Sequence, residues 1–167
     1  MDPTLAARAA RIRLAVFDVD GVFTDGRLLF GPQGEALKQF HVRDGHGIKR
    51  LRGAGIAVAV ISGRSSPIVA ARMAELGVDE VHQGHDDKLP VLQALLARRG
   101  VAADECCYCG DDEPDLAPLR AVGLACAPAD AHPEVRAVAS VVTRAGGGAG
   151  AVREVCDLLL AARGAKP

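Results

Sequence analysis

From residue 14 to residue 162, short apolar runs alternate with segments whose apolar residues recur at helical spacing. Residues 14–19, "IAVAVI" at 56–61, 79–83, "CCYC" at 106–109, "GLACA" at 123–127 and 140–143 read as strands. Between them, 45–55, 67–76, 88–99, 115–121, 132–139 and 151–162 read as helices, several closed by glycine. The 56–61 run has no polar alternation, so both of its faces must be covered. Strands joined by helices return to one sheet through right-handed crossovers, which build a parallel sheet with helices on both faces. The predicted class is α/β, a doubly wound Rossmann-like parallel sheet forming one domain over 1–167. "RLLF" (27–30) and "ALKQF" (36–40), separated by a turn containing "GPQG", predict a β-hairpin inserted after the first strand. Strand order does not follow from the pattern.

Composition narrows the function. Hydrophobic residues make up 49% of the chain but aromatics only 3%, so the core must be aliphatic. Twenty basic against 21 acidic residues give a net charge of −1, which offers no footprint for nucleic acid or an anionic membrane. No apolar run approaches the roughly 20 residues that span a bilayer. The opening "MDPTLAARAARIR" lacks the apolar stretch of a secretion signal and reads as a ragged or helical arm. Five cysteines are an odd set, and "CCYC" has no second knuckle with which to hold zinc. They read as reduced, buried, apolar residues of a cytoplasmic enzyme.

Sheets of this class bind ligands at the carboxyl ends of their strands. The first strand ends in Asp18-Val19-Asp20, and the 56–61 strand runs into Ser62-Gly63-Arg64. After the next strand come Asp86, Asp87 and Lys88; after "CCYC" come Gly110, Asp111 and Asp112, with Asp115 a turn later. Residues two apart on a strand share a face, so Asp18 and Asp20 can address one group. Two carboxylates about 4 Å apart repel by roughly 4 kcal/mol at an effective dielectric near 20. Such a cluster requires a cation, and an all-oxygen donor set favours Mg²⁺. A lysine and a hydroxyl beside it suit a phosphoryl group.

The order "DVDGV", "ISGR", Lys88, "GDDEPD" resembles the four motifs of the haloacid dehalogenase superfamily of phosphotransferases, over nearly the whole chain. The resemblance implies that Asp18 is the nucleophile that becomes an aspartyl phosphate. Asp20 would protonate the leaving alcohol and then deprotonate the hydrolytic water. Asp18, the main-chain carbonyl of Asp20 and Asp111 would hold Mg²⁺. Ser62 and Lys88 would bind the phosphoryl oxygens, and Asp112 would orient Lys88 or a metal-bound water, with Asp115 supporting. A signalling receiver domain also has clustered acids, a hydroxyl and a lysine. There, however, the phosphorylated aspartate ends a later strand, and the order found here rejects it.

Asp18 and Ser62 are 44 positions apart and Lys88 and Asp111 are 23 apart, which leaves no room for the inserted cap that many members carry. "DVDGVFTDG", "HVRDGHGIKRL", "ISGRSSPIVAARMAELG" and "GGGAGAVREVCDLLLAARG" together resemble the capless phosphatases of 3-deoxy-D-manno-octulosonate 8-phosphate, a lipopolysaccharide sugar-acid precursor. That resemblance implies a homotetramer whose hairpins, 27–40 here, pack against neighbours and help build their sites. It also implies that His41, Val42, Arg43, Asp44 and Gly45, with Lys49, Gly63, Arg64 and Arg72, surround the small-molecule sugar acid, whose carboxylate gives guanidinium groups a partner. His41 and His46 stand where the family often has Asn and Tyr. Asp44 reads equally as a helix N-cap, and Lys49 and Arg72 as solvated helix charges. The glycines at 146, 147, 148 and 150 read either as a connector or as an anion-binding nest before a helix. Two other functions fit less well: a phosphatase of the related nine-carbon acid, in which the arginine of "SGR" is replaced by an acidic residue, and an idle oligomerisation module, against which the intact aspartates argue.

Overall fold

A computed structural model describes residues 2–164. Its strands are β1 (Leu14–Phe17), β2 (Leu29–Gly31), β3 (Gly34–Leu37), β4 (Ala57–Ser62), β5 (Glu80–Gln83), β6 (Cys106–Cys109), β7 (Leu124–Ala127) and β8 (Val141–Val142). The helices are α1 (Pro3–Ala10), α2 (Val42–Gly53), α3 (Pro67–Leu76), α4 (Lys88–Arg99), α5 (Leu116–Ala121), α6 (Pro133–Val138) and α7 (Ala151–Ala162). Six strands form one parallel sheet in the order β5-β4-β1-β6-β7-β8, and β2 and β3 pair separately as the hairpin. The chain therefore winds outward from β1 on one side, then crosses back and winds out on the other. The crevice of such a sheet opens where the winding reverses, beside β1 and β6.

Each strand divides its residues between two layers. Ala15, Phe17, Val58, Val60, Cys107 and Cys109 pack under α2, α3 and α7, together with Ile48, Met73 and Val155. Leu14, Val16, Ala59, Ile61, Cys106 and Tyr108 face Leu92, Leu95, Leu119 and Val135 of the helices on the other side. Burial on both faces explains why these strands lack alternation. All five cysteines are free and buried, as their apolar context predicts.

Register aligns the strand ends. Phe17 lies opposite Val60 on one side and Cys109 on the other, so the residues that follow emerge on a common edge. β1 stops at Phe17, two residues before the predicted end. The amides of Val22, Phe23 and Thr24 all return to the Val19 carbonyl, which curls the chain away from the sheet. Between β1 and β4 lie only the hairpin and α2, and between β5 and β6 only α4 and a short 3₁₀ turn, so no cap domain is inserted. No helix among the described residues is long and apolar enough to cross a membrane.

Two local predictions are corrected. The helix expected from residue 45 starts at Val42, because His41 Nδ1 accepts the Arg43 amide at 3.1 Å and caps it. His41–Gly45 is thus a helix start rather than an open loop, and Asp44 is not its N-cap. The run 146–150 is packed rather than a loose connector, and its Gly147 amide donates to the Asp130 carboxylate at 2.9 Å. A Cβ on Gly147 would strike the Gly21 carbonyl, and one on Gly148 would strike the backbone at Thr24 and Asp25. With the Gly148 amide bonded to the Val22 carbonyl at 3.0 Å, the glycines let the C-terminal segment abut the turn that carries Asp20.

The hairpin has an unusual surface. Leu28, Leu29, Phe30 and Leu37 are exposed, Phe30 and Leu37 by about two thirds. Phe40 instead packs against the core, with the Arg72 guanidinium 5.9 Å from its ring centre.

Candidate active site

A cavity of about 250 Å³ sits at the carboxyl edge of the sheet, lined by Asp18, Asp20, Ser62, Gly63, Arg64 and Lys88 and closed by Asp111, Asp112 and Asp115. β1 delivers Asp18, β4 delivers Ser62, the first residue of α4 is Lys88, and β6 leads into Asp111. Lys88 is almost fully buried, with its ammonium 2.7 Å from Asp18 Oδ2 and 2.7 Å from Asp115 Oδ1. Burial pulls its pKa down, but the two carboxylates outweigh burial and hold it above the ordinary lysine value.

Asp115 is the hub of this arrangement. Its Oδ1 accepts from Lys88 and from the Tyr108 hydroxyl at 2.8 Å, and its Oδ2 accepts the amides of Asp111 (3.0 Å) and Asp112 (3.3 Å). Of the two roles expected for Asp112, orienting Lys88 or a metal-bound water, the first falls to Asp115. Asp112 is exposed and accepts the Glu113 amide at 2.9 Å, capping the short turn that swings Asp115 inward. Gly110 is required there, since a Cβ would collide with the Asp115 carboxyl.

Asp20 lies in the turn after β1. Its carboxylate is ion-paired with Lys38, at the end of β3, and lies 3.6 Å from the Arg64 guanidinium. Lys38 and its neighbour Glu35 were missed by sequence reasoning. In "ALKQF" the lysine carries no motif, and only the fold of the hairpin brings it to Asp20. Tyr108 was also missed. It is the chain's sole tyrosine, standing in an otherwise apolar strand three residues before Asp111, and that placement was its one visible signal.

The other residues expected around the sugar acid do not reach this cavity. Val42, Gly45, Lys49 and Arg72 line a separate cleft of about 190 Å³ between α2 and α3. Arg43 borders a third, beside Arg144 and Arg153. His41 is engaged in capping α2. Asp44 is buried, with its Oδ1 accepting the Arg153 amide at 2.8 Å, so that it ties α2 to the first turn of α7. Within one chain, only Arg64, Gly63, Asp20 and Lys88 of the expected substrate set line the cavity at the sheet edge.

Comparison with known proteins places this geometry. A haloacid dehalogenase-like hydrolase family model matches residues 75–152. The chain is 48% identical over 158 residues to 3-deoxy-D-manno-octulosonate 8-phosphate phosphatase KdsC of Escherichia coli K12, covering 95% of this chain and 84% of that one. The chain belongs to this phosphatase family. The crystal structure of the Yersinia pestis phosphatase superposes with a TM-score of 0.96 at 46% identity, covering 98% of this chain and 89% of that chain. The Moraxella catarrhalis phosphatase, solved in complex with magnesium ion, phosphate ion and a KDO molecule, superposes with a TM-score of 0.94 at 41% identity, covering 96% and 92%.

The donor set of this family member fits a hard divalent cation. Carboxylate oxygens of Asp18, Asp111 and Asp115 lie within 4.8 Å of one another. Asp115 takes two donors on each oxygen, whereas Asp18 takes one on each and Asp111 Oδ1 takes none, which leaves Asp18 and Asp111 the more open to an ion. Asp111 Oδ1 is buried without a hydrogen-bond partner. A Cβ on Gly21 would fill the space of the Asp111 carboxyl, so the glycine keeps that position open. Burial, then repulsion from Asp115, pushes Asp18 up to about 7 against the pull of Lys88. Burial, then Asp18 and Asp115, pushes Asp111 up to about 8.

A pH dependence follows. In the metal-free native state Asp18 and Asp111 hold protons that the unfolded chain, with carboxyls near 3.8, has already released. Their contribution to stability is full below the unfolded value and is lost as pH rises through the native values near 7 and 8. Added Mg²⁺ should therefore raise Tm more at about pH 8 than at about pH 5, where binding must displace protons. Thermal melts with and without Mg²⁺ at both pH values check this, and equal shifts would contradict it.

Proposed function

We infer that this chain is a magnesium-dependent phosphatase that hydrolyses 3-deoxy-D-manno-octulosonate 8-phosphate to the free sugar acid and phosphate, in lipopolysaccharide biosynthesis. The observation that carries this reading is the junction of Asp18, Asp20, Ser62, Lys88 and Asp111 in one cavity of a chain 48% identical to the Escherichia coli phosphatase. We read the whole chain as one cytoplasmic domain.

The residues divide the chemistry between them. An Asp18 carboxylate oxygen attacks phosphorus, the bond from phosphorus to the sugar oxygen breaks, and Asp20 donates its proton to that oxygen. A water then attacks the aspartyl phosphate and gives its proton to Asp20, and the bond from phosphorus to Asp18 breaks to release phosphate. Lys88 and Ser62 hold the equatorial phosphoryl oxygens, Lys88 doing so from a fixed position because Asp115 anchors it. Asp18, Asp111 and the Asp20 carbonyl would hold Mg²⁺, which when bound neutralises phosphoryl charge and restores Asp18 and Asp111 to their ionised forms. Arg64, exposed at the cavity mouth, faces the remainder of the sugar acid. Phosphate release measured across eight-carbon and nine-carbon sugar-acid phosphates tests the reading. A preference for the nine-carbon ester, or no turnover in saturating Mg²⁺, would overturn it.

The assembly we propose is a homotetramer. The exposed Leu28, Leu29, Phe30 and Leu37 support it, since an apolar cluster of this kind on a hairpin calls for a partner. The division of the substrate set supports it too. A copy seated against the hairpin offers a way for the Lys49 and Arg72 cleft to complete another chain's cavity. Glu substitutions at Leu29 and Leu37 suit the test better than one at Phe40, whose ring packs against the core. They are expected to yield a monomer by analytical ultracentrifugation. KM for the sugar acid should rise by roughly tenfold or more, the loss of at least one charge-assisted contact. A monomer with unchanged KM would rule out a shared site.

A further inference from the structure

The hairpin does more on its inner side than its apolar surface suggests. The Lys38 side chain is 1% exposed, and its ammonium sits between Asp20 Oδ1 and Glu35 Oε1, the latter at 2.9 Å. Glu35 is itself held from the far side. Its Oε2 accepts the Ser66 hydroxyl at 2.5 Å, at the start of α3, and its Oε1 lies 3.5 Å from the Arg64 guanidinium. Burial pulls the Lys38 ammonium down, but hydrogen bonds to Asp20 and Glu35 outweigh it and hold the charge. A continuous run of polar contacts thus leads from α3 through Glu35 and Lys38 to the Asp20 carboxyl.

Two facts indicate what this run is for. A buried ion pair is weak evidence of stability, because desolvation offsets most of the attraction, so its presence calls for an orientational reason. Asp20, moreover, is not on a strand. It sits in the turn after β1, and both proton transfers require its carboxyl to keep a fixed direction towards the phosphoryl group. The other cation beside the Asp20 carboxylate is the half-exposed Arg64 guanidinium, farther off at 3.6 Å, while Lys88 is engaged by Asp18 and Asp115.

We propose that Lys38, braced by Glu35, is a positioning residue for Asp20, so that the hairpin is a working part of the catalytic apparatus as well as a docking surface. This rests on the phosphatase reading and on Asp20 as its acid and base. One link follows for the assembly: a partner pressing on the outer side of the hairpin fixes the strand that carries Glu35 and leads into Lys38.

The test uses leaving-group chemistry, which a merely structural role would not sense. Lys38→Met keeps the aliphatic stem and removes the ammonium. In Mg²⁺, kcat on an alkyl phosphate, whose alkoxide must be protonated as it leaves, is expected to fall about 10²-fold with KM little changed. The single-turnover burst of p-nitrophenolate from p-nitrophenyl phosphate, which needs no such proton, should fall only a few-fold. Lys38→Arg should recover part of the alkyl-ester rate, and Glu35→Gln should show the same split in weaker form. In an Asp20→Asn background, Lys38→Met should add nothing. Equal losses on both esters, additivity with Asp20→Asn, or a wild-type rate would overturn the proposal. If Lys38→Met fails to fold by circular dichroism, Lys38→Arg and Glu35→Gln carry the same comparison. Absence of turnover in the wild type would overturn the phosphatase reading instead, and this proposal with it.

Discussion

Replacing Asp18 with Asn is expected to lower turnover by on the order of 10⁴-fold or more, the scale seen when a covalent nucleophile is removed. An amide oxygen is a poor nucleophile towards phosphorus, and no neighbouring carboxylate is placed to substitute for it. Asp115 is saturated by four donors, and Asp111 belongs to the metal side of the cavity. The fold should survive. Asn retains an oxygen to accept the Val19 amide, which Asp18 Oδ1 takes at 2.6 Å, and Lys88 keeps its contact with Asp115. Rapid-quench detection of a phosphorylated enzyme, beside circular dichroism, checks both halves of this expectation. Wild-type turnover in a folded Asp18→Asn protein would end the covalent mechanism.

Asp115→Ala should have the largest effect on stability, a loss of about 3–5 kcal/mol, as when one partner of a buried charge pair is removed. Four donors lose their acceptor at once: the Lys88 ammonium, the Tyr108 hydroxyl and the amides of Asp111 and Asp112. Activity should fall with it, because Lys88 is then held by Asp18 alone and the loop bearing Asp111 loses its tether. Asp115→Asn is not a conservative change here. Whichever way the amide is turned, its NH₂ meets donors on one side, so a loss of about 1–3 kcal/mol is expected. Asp112→Ala, at an exposed position that does not touch Lys88, should cost far less. Urea denaturation of the three variants in parallel decides the matter. An Asp115→Ala protein within about 1 kcal/mol of wild type would show that the hub is not structural.

The residues proposed as catalytic were legible because their chemistry is tied to strand ends. A buried strand in a doubly wound sheet must release its chain at the carboxyl edge. Polar residues directly after each apolar run therefore meet there whatever the strand order. Asp18, Ser62 and Asp111 are of this kind and Lys88 opens the helix after the next strand, and each stands within a residue or two of an element boundary read from pattern alone. The helices at 67–76, 88–99 and 151–162 were equally legible, since turn residues or glycine delimit them on at least one side.

What pattern does not encode is which distant segments face one another. The glycine run at 146–150 gives no local sign that it will press against the turn at 21–25, nor "ALKQF" that its lysine will meet Asp20. Asp44, Asp112 and Asp115 are each an aspartate near a helix start, and local preference treats them alike. Only the packing of α2 on α7 sends the first to the Arg153 amide, and only the turn after β6 buries the third on Lys88 while leaving the second in solvent. The sequence by itself determined the layered α/β fold and the four-motif site, because periodicity and strand-end chemistry are local. The tertiary structure alone decided how Lys88 and Asp20 are held, and why most of the expected substrate set lies outside the cavity at the sheet edge. Those outcomes depend on contacts between segments 18 to 109 residues apart, whose geometry exists only once the chain has closed on itself.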